Sequence, residues 1–119
     1  MKKRLLGCSL PFAAAVLLGT ISTFGAPVAR ADDAVTLSLT IRNHQFEPAE
    51  VHAPAGKPIT FRVRNLGATA SEFESSELLV ETVIAAGGEA VVHVRALPPG
   101  RYNFFDDFHR KTQGFLIVP

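Results

Sequence analysis

A period of two runs through this chain and confines it to sheet. Val35, Leu37, Leu39 and Ile41 alternate with Thr36, Ser38, Thr40 and Arg42. Side chains of an extended backbone point to opposite faces in turn, so this pattern describes a half-buried strand. Ile59, Phe61 and Val63 alternate with Thr60, Arg62 and Arg64 in the same way, and Ala90, Val92 and Val94 with Val91, His93 and Arg95. A short apolar run, Phe115 to Val118, closes the chain. Between these segments lie "PAGKP", "NLGAT", "AAGGE" and "LPPGR", each a turn by composition. No helical period is sustained beyond about one turn; Glu77 to Val80 has room for a short helix or an irregular excursion. The pattern predicts an all-β fold, an antiparallel sandwich of seven to eight strands. Its inner faces are expected to hold Leu37, Leu39, Ile41, Phe61, Val63, Val92, Val94, Tyr102, Phe104 and Ile117. His52 and His93 alternate with apolar neighbours and are expected to face outward.

Residues 1–31 break the pattern. Lys2, Lys3 and Arg4 give a positive start, Leu10 to Ile21 is mostly apolar, and Ala29-Arg30-Ala31 offers the small-x-small site of a signal peptidase. Pro11, Gly19 and Thr20 interrupt the apolar run, which is too short and broken for a membrane span. The reading is a cleaved secretory signal, export to the periplasm, and no membrane insertion afterwards. Cys8 follows "LLG" as in a lipoprotein box, but it precedes the apolar segment and is set aside. Removing 31 of the 119 residues leaves 88, one small domain over residues 32–119. A domain of this size buries about 60–65% of its unfolded surface.

Composition narrows the chemistry. The only cysteine, Cys8, and the only methionine, Met1, go with the signal, so the mature chain offers no disulfide, thiolate or thioether. Eight of the 12 basic residues and all 11 acidic ones remain, a formal balance of −3. That disfavours nucleic acid, which calls for a clustered basic surface. There is no phosphate-binding Gly loop, no H-E-x-x-H and no paired-cysteine motif. Ser71, Ser75 and Ser76 have no histidine near them in sequence for nucleophilic chemistry.

Two stretches then resemble a known family. "HQFEPAEVHAPAGKPITFRVRN" is similar to the first half of a small cupredoxin, and "LPPGRYNFFDDFH" to the second half, where that family carries L-x-P-G-x-Y-x-F-x-C-x-x-H. The resemblance implies a Greek-key cupredoxin-like sandwich with a metal site at one end. It places Asp106 where the family has cysteine and Glu72 where it has the upstream histidine, while His109 keeps the downstream one. The axial-methionine loop is shortened to Arg110-Lys111-Thr112-Gln113. A type 1 copper centre needs a thiolate, so the resemblance implies no blue-copper centre here. "EFES" and "FFDDFH" further resemble small periplasmic cupredoxin-like proteins associated with high-affinity ferrous iron permeases. That kinship implies a role in handling iron, with a periplasmic iron-binding protein and an inner-membrane iron permease as partners.

The candidate metal residues are Glu72, Asp106 and His109, joined by His44 and Glu74. Oxygen and imidazole donors suit one transition-metal ion, iron or Cu(II), better than Cu(I), which prefers sulfur. Each histidine must be neutral to ligate, so binding is expected to fade below about pH 6. Plainer readings stand beside this one. Asp106-Asp107 reads equally as a solvated acidic turn, Glu72, Glu74 and Glu77 as a polar strand edge, and His44 as a loop histidine. Tyr102, after Pro98-Pro99-Gly100, reads as a structural corner residue, and Phe104, Phe105 and Phe108 as core or site wall. Three functions follow: a metal-handling protein, a metal-free module docking to a permease complex, and a small Fe(II)-oxidising enzyme.

Overall fold

The computed structural model describes residues 33–119 together with Gly7 and Gly25. Apart from those two glycines, the export signal read over residues 1–31 lies outside the described residues. Nine strands follow: β1 (Val35–Arg42), β2 (Gln45–Glu47), β3 (Glu50–His52), β4 (Ile59–Asn65), β5 (Ser71–Ser75), β6 (Val80–Ile84), β7 (Glu89–Val94), β8 (Gly100–Asp106) and β9 (His109–Val118). They form a sandwich of two sheets, ordered β2-β1-β4-β7 and β3-β9-β8-β5-β6. The all-β class holds, with one or two strands more than expected. The extra ones, β2 and β3, are three residues each on either side of Pro48-Ala49, too short to show an alternation. Among the described residues no helix is long and apolar enough to cross a membrane.

The sandwich is mixed, not purely antiparallel. β1 pairs parallel with β4, Val35 opposite Ile59, and β3 pairs parallel with β9. The cause is the break at Pro48-Ala49. The chain turns back along β1 as β2, then enters the opposite sheet as β3, and β4 returns beside β1 in the same direction. Alternation fixes which side chains face inward but not the direction of the neighbouring strand.

Leu39, Ile41, Phe61, Val63, Val92, Val94 and Phe104 are buried as their alternation requires, and Leu37 and Tyr102 pack against them partly covered. Ile117 is a correction. It faces outward, and Leu116 and Val118 are buried in its place. An unbroken apolar run carries no phase of its own. Gly114 sets it by lying against Phe104, where an added Cβ would come within 2.5 Å of the ring's Cζ. Residues two and four further on, Leu116 and Val118, must then also point inward. Four rings, Phe46, Phe61, Phe73 and Phe104, meet at centroid distances of 5.0 to 6.0 Å and fill the core below one end of the sandwich. Tyr102 donates its hydroxyl to Pro98 O at 2.6 Å, a structural corner. Ser76 to Leu79 is a turn joining β5 to β6, without a helix, and Arg110 to Gln113 belong to β9 and form no loop.

Candidate metal centre

Three connections meet above the four phenylalanines. The β1–β2 turn carries Asn43 and His44, the loop 66–70 leads into Ser71 and Glu72, and the β8–β9 turn carries Asp107 and Phe108 between Asp106 and His109. Asn65 pins the middle loop from beneath. Its amide donates to Thr69 O and Ile84 O, and its Oδ1 accepts the Gly67 N–H.

Asp106 is fully buried, on the same face of β8 as Phe104. Its Oδ1 accepts the Phe108 N–H at 3.0 Å, the local bond by which aspartate favours a tight turn. The same oxygen accepts the Glu72 N–H at 2.9 Å across the sheet. Its Oδ2 lies 3.1 Å from His109 Nδ1. Burial alone would push this carboxyl up, but the Glu72 N–H, the Ser71 hydroxyl, His109 and the Phe108 N–H outweigh it and hold the group below its ordinary value. Asp106 is therefore an ionised acceptor, and His109 Nδ1 must donate to it. That assigns the His109 tautomer: Nδ1 carries the proton, and in the neutral ring Nε2 carries the lone pair. The His109 side chain is 31% exposed, so the ring reaches from its buried anchor to the surface.

His44 stands beside it, with ring centroids 4.4 Å apart and planes tilted by 40°. The β1–β2 turn holds it there at a conformational cost. Asn43 and His44 have φ of 49° and 57°, so both central residues of a two-residue hairpin loop are left-handed. Turns of this kind favour glycine at the second place, and this chain puts an imidazole there.

Glu72 and Glu74 lie elsewhere. Phe73 fills the core, so its two neighbours point to the outer face of the five-stranded sheet. Glu72 meets Glu81, Asp107 and Glu74 there. Its hydrogen bond with Glu81, then burial, then the charges of Glu81, Asp107 and Glu74 push its carboxyl up. The Glu72 carboxyl meets Asp107 from the outer face, and the backbone of Glu72 joins the histidine end. Its N–H caps Asp106 and its C=O accepts the Asp107 N–H at 2.9 Å. Of the five residues singled out in the sequence, the structure brings together Asp106, His109 and His44.

The sequence matches the cupredoxin-like domain family over residues 12–118. The chain belongs to that family. Over 88 residues it is 35% identical to an uncharacterized protein of Rickettsia prowazekii strain Madrid E, covering 73% of this chain and 70% of that protein. Among solved structures it is similar to the metal binding domain of the Streptococcus pneumoniae D39 Cu(I)-exporting P-type ATPase CopA with Cu(I). That likeness has a TM-score of 0.65 and 16% identity, over 74% of this chain and 88% of the other. It is also similar to Na-dithionite-reduced auracyanin from Roseiflexus castenholzii, with a TM-score of 0.61 and 17% identity over 71% and 96% of the two chains. At such identities the likeness shows the fold.

Within this cupredoxin-like frame the donors do not fit a thiolate copper site, since no cysteine follows Cys8 and no methionine follows Met1. The nitrogen donors present at this end are those of the His109 and His44 rings. Two imidazoles that share an ion through metal–nitrogen bonds of about 2 Å have centroids roughly 4.5 Å apart at right-angle positions and roughly 5 Å apart at tetrahedral ones. Both Asp106 oxygens are already engaged, so the carboxylate orients His109 in the manner of a carboxylate–histidine–metal relay. Among the described residues no three His, Cys, Asp or Glu side chains gather to hold an ion. Further positions would fall to solvent or an incoming ligand; clefts of about 260 and 300 Å³ border His44, and His109 lines neither. In the sequence Thr112 stands only as part of a shortened loop and Ser71 only as a serine without a nearby histidine; the hydrogen bonds they make at this end come from the packing of β9 and β5 against the turns.

Proposed function

We propose that this cupredoxin-like protein is exported to the periplasm and handles iron or Cu(II) during iron uptake, through His109 and His44 and without a type 1 copper site. The observation that carries the reading is the 4.4 Å imidazole pair, with His109 anchored through Nδ1 to a buried carboxylate so that Nε2 is left as the ligand atom. An ion held there supplies Lewis acidity or a one-electron couple. The chain's own part is to present two nitrogen donors, to fix one tautomer and to keep the rest of the site open to water. Soft Cu(I) is disfavoured by such donors and first-row divalent ions are favoured. The resemblance of "EFES" and "FFDDFH" to proteins associated with ferrous iron permeases supports a periplasmic iron-binding protein and an inner-membrane permease as partners.

Calorimetry with Cu(II), and with Fe(II) under anaerobic conditions, tests the site. His109→Ala and His44→Ala are expected to weaken binding at least ~10-fold, on the order of 1.4 kcal/mol. His93→Ala, on the exposed outer face of β7, is expected to leave it unchanged. Equal binding by all three variants would refute the reading.

A further inference from the structure

We infer that Thr112 is the positioning residue of the imidazole pair, an inference that rests on the metal reading only for its functional consequence. Thr112 is buried on β9, 2% exposed, and its Oγ1 donates to the backbone oxygen of His44 at 2.5 Å. The bond spans 68 residues of sequence and links a strand of the five-stranded sheet to the outermost hairpin of the other sheet. One strand therefore holds both rings. His109 is its first residue, and His44 is tied to it three residues further on.

The bond falls where it is needed. His44 has a φ of 57°, in a region that costs a residue with a Cβ about 1–2 kcal/mol. β2 is an edge strand paired only with β1, so within its own sheet nothing stiffens the turn from the other side. The carbonyl that Thr112 binds is that of His44 itself. Holding it fixes the peptide plane after His44, and with it the direction in which the imidazole leaves the backbone. The donor is the Thr112 hydroxyl, on a side chain only 2% exposed although a cleft of about 300 Å³ borders both it and His44. Groups that orient metal ligands from behind commonly change metal affinity by roughly 10–100-fold when removed.

Thr112→Val keeps the shape and removes the donor, and Thr112→Ser keeps the donor. In the metal-free exported protein, NMR cross-relaxation between the ring protons of His44 and His109 is expected in wild type and Thr112→Ser and lost in Thr112→Val. Cu(II) affinity is expected to fall about 10-fold in Thr112→Val and to be restored in Thr112→Ser. Thr112→Ala serves as the donor-free variant if the valine protein does not fold. A donor-free variant with intact ring contacts and wild-type Cu(II) affinity overturns the inference. A wild-type protein that binds no Cu(II) or Fe(II), yet loses its ring contacts with the Thr112 hydroxyl, overturns the metal reading and upholds the positioning role.

Discussion

Asp106 Oδ2 lies 3.1 Å from His109 Nδ1 while the other oxygen of the same carboxylate caps two backbone N–H groups, those of Glu72 and Phe108. One buried side chain thus ties β8 to β5, closes the β8–β9 turn and sets the tautomer of the half-buried histidine. Asp106→Ala strips the acceptor from a buried N–H, that of Glu72, and a partly buried one, that of Phe108. At about 1–3 kcal/mol for an unsatisfied buried group, a loss of about 2 kcal/mol is expected at neutral pH. The carboxyl is held below its ordinary value, so its charge-dependent stability is present above the unfolded value near about pH 4 and is lost as pH falls through the lower folded value. Urea unfolding at pH 7 and pH 3 should show the gap between wild type and variant narrowing in acid. A gap of constant size would contradict the assignment of an ionised Asp106.

Glu72 has the opposite sign. Its carboxyl is pushed up by the Glu81 hydrogen bond first, then by burial and by the neighbouring charges of Glu81, Asp107 and Glu74. The stability tied to its protonated form is full below the unfolded value and is lost as pH rises through the raised folded one. Glu72→Gln keeps a hydrogen-bonding side chain and removes the charge. Its melting temperature should gain on wild type between pH 4 and pH 7, and a gain that is the same at both would speak against the carboxylate crowding on this face.

His44 should trade stability for function. His44→Gly removes a side chain from a left-handed position and restores the Asn-Gly pair that such hairpin loops favour. Chemical denaturation is expected to show a variant more stable by about 0.5–1 kcal/mol, the relief of the left-handed residue less the greater unfolded-state freedom of glycine, while Cu(II) binding falls with the lost imidazole. A glycine variant that keeps full affinity would remove His44 from the site.

Gly114 should tolerate no side chain. Its missing Cβ would sit within 2.5 Å of Phe104 Cζ and 3.0 Å from Ala49 O, and Phe104 is wholly buried among other phenylalanines. Gly114→Ala is expected to destabilise by about 1–3 kcal/mol through overpacking. Thermal unfolding measures it, and a wild-type melting temperature would mean that the Phe104 ring has somewhere else to go.

The sequence by itself determined the fold class and most of the core. Strict alternation assigns each side chain to one face once a strand exists, which is why Leu39, Ile41, Phe61, Val63, Val92 and Val94 were legible. It also delivered the Asp106–His109 pair, because three residues across a two-residue turn are a local matter. Tertiary structure decided the rest. The phase of Phe115 to Val118 came from Gly114 meeting Phe104, and the parallel pairings came from a chain that changes sheets at Pro48-Ala49. The side of β5 on which Glu72 lies was set by Phe73 filling the core. His44 reaches His109 across a separation of 65 positions only because two hairpins end at the same edge of the sandwich and the Thr112 hydroxyl ties them together. Contacts between distant segments depend on how the sheets stack, and a period of two says nothing about stacking.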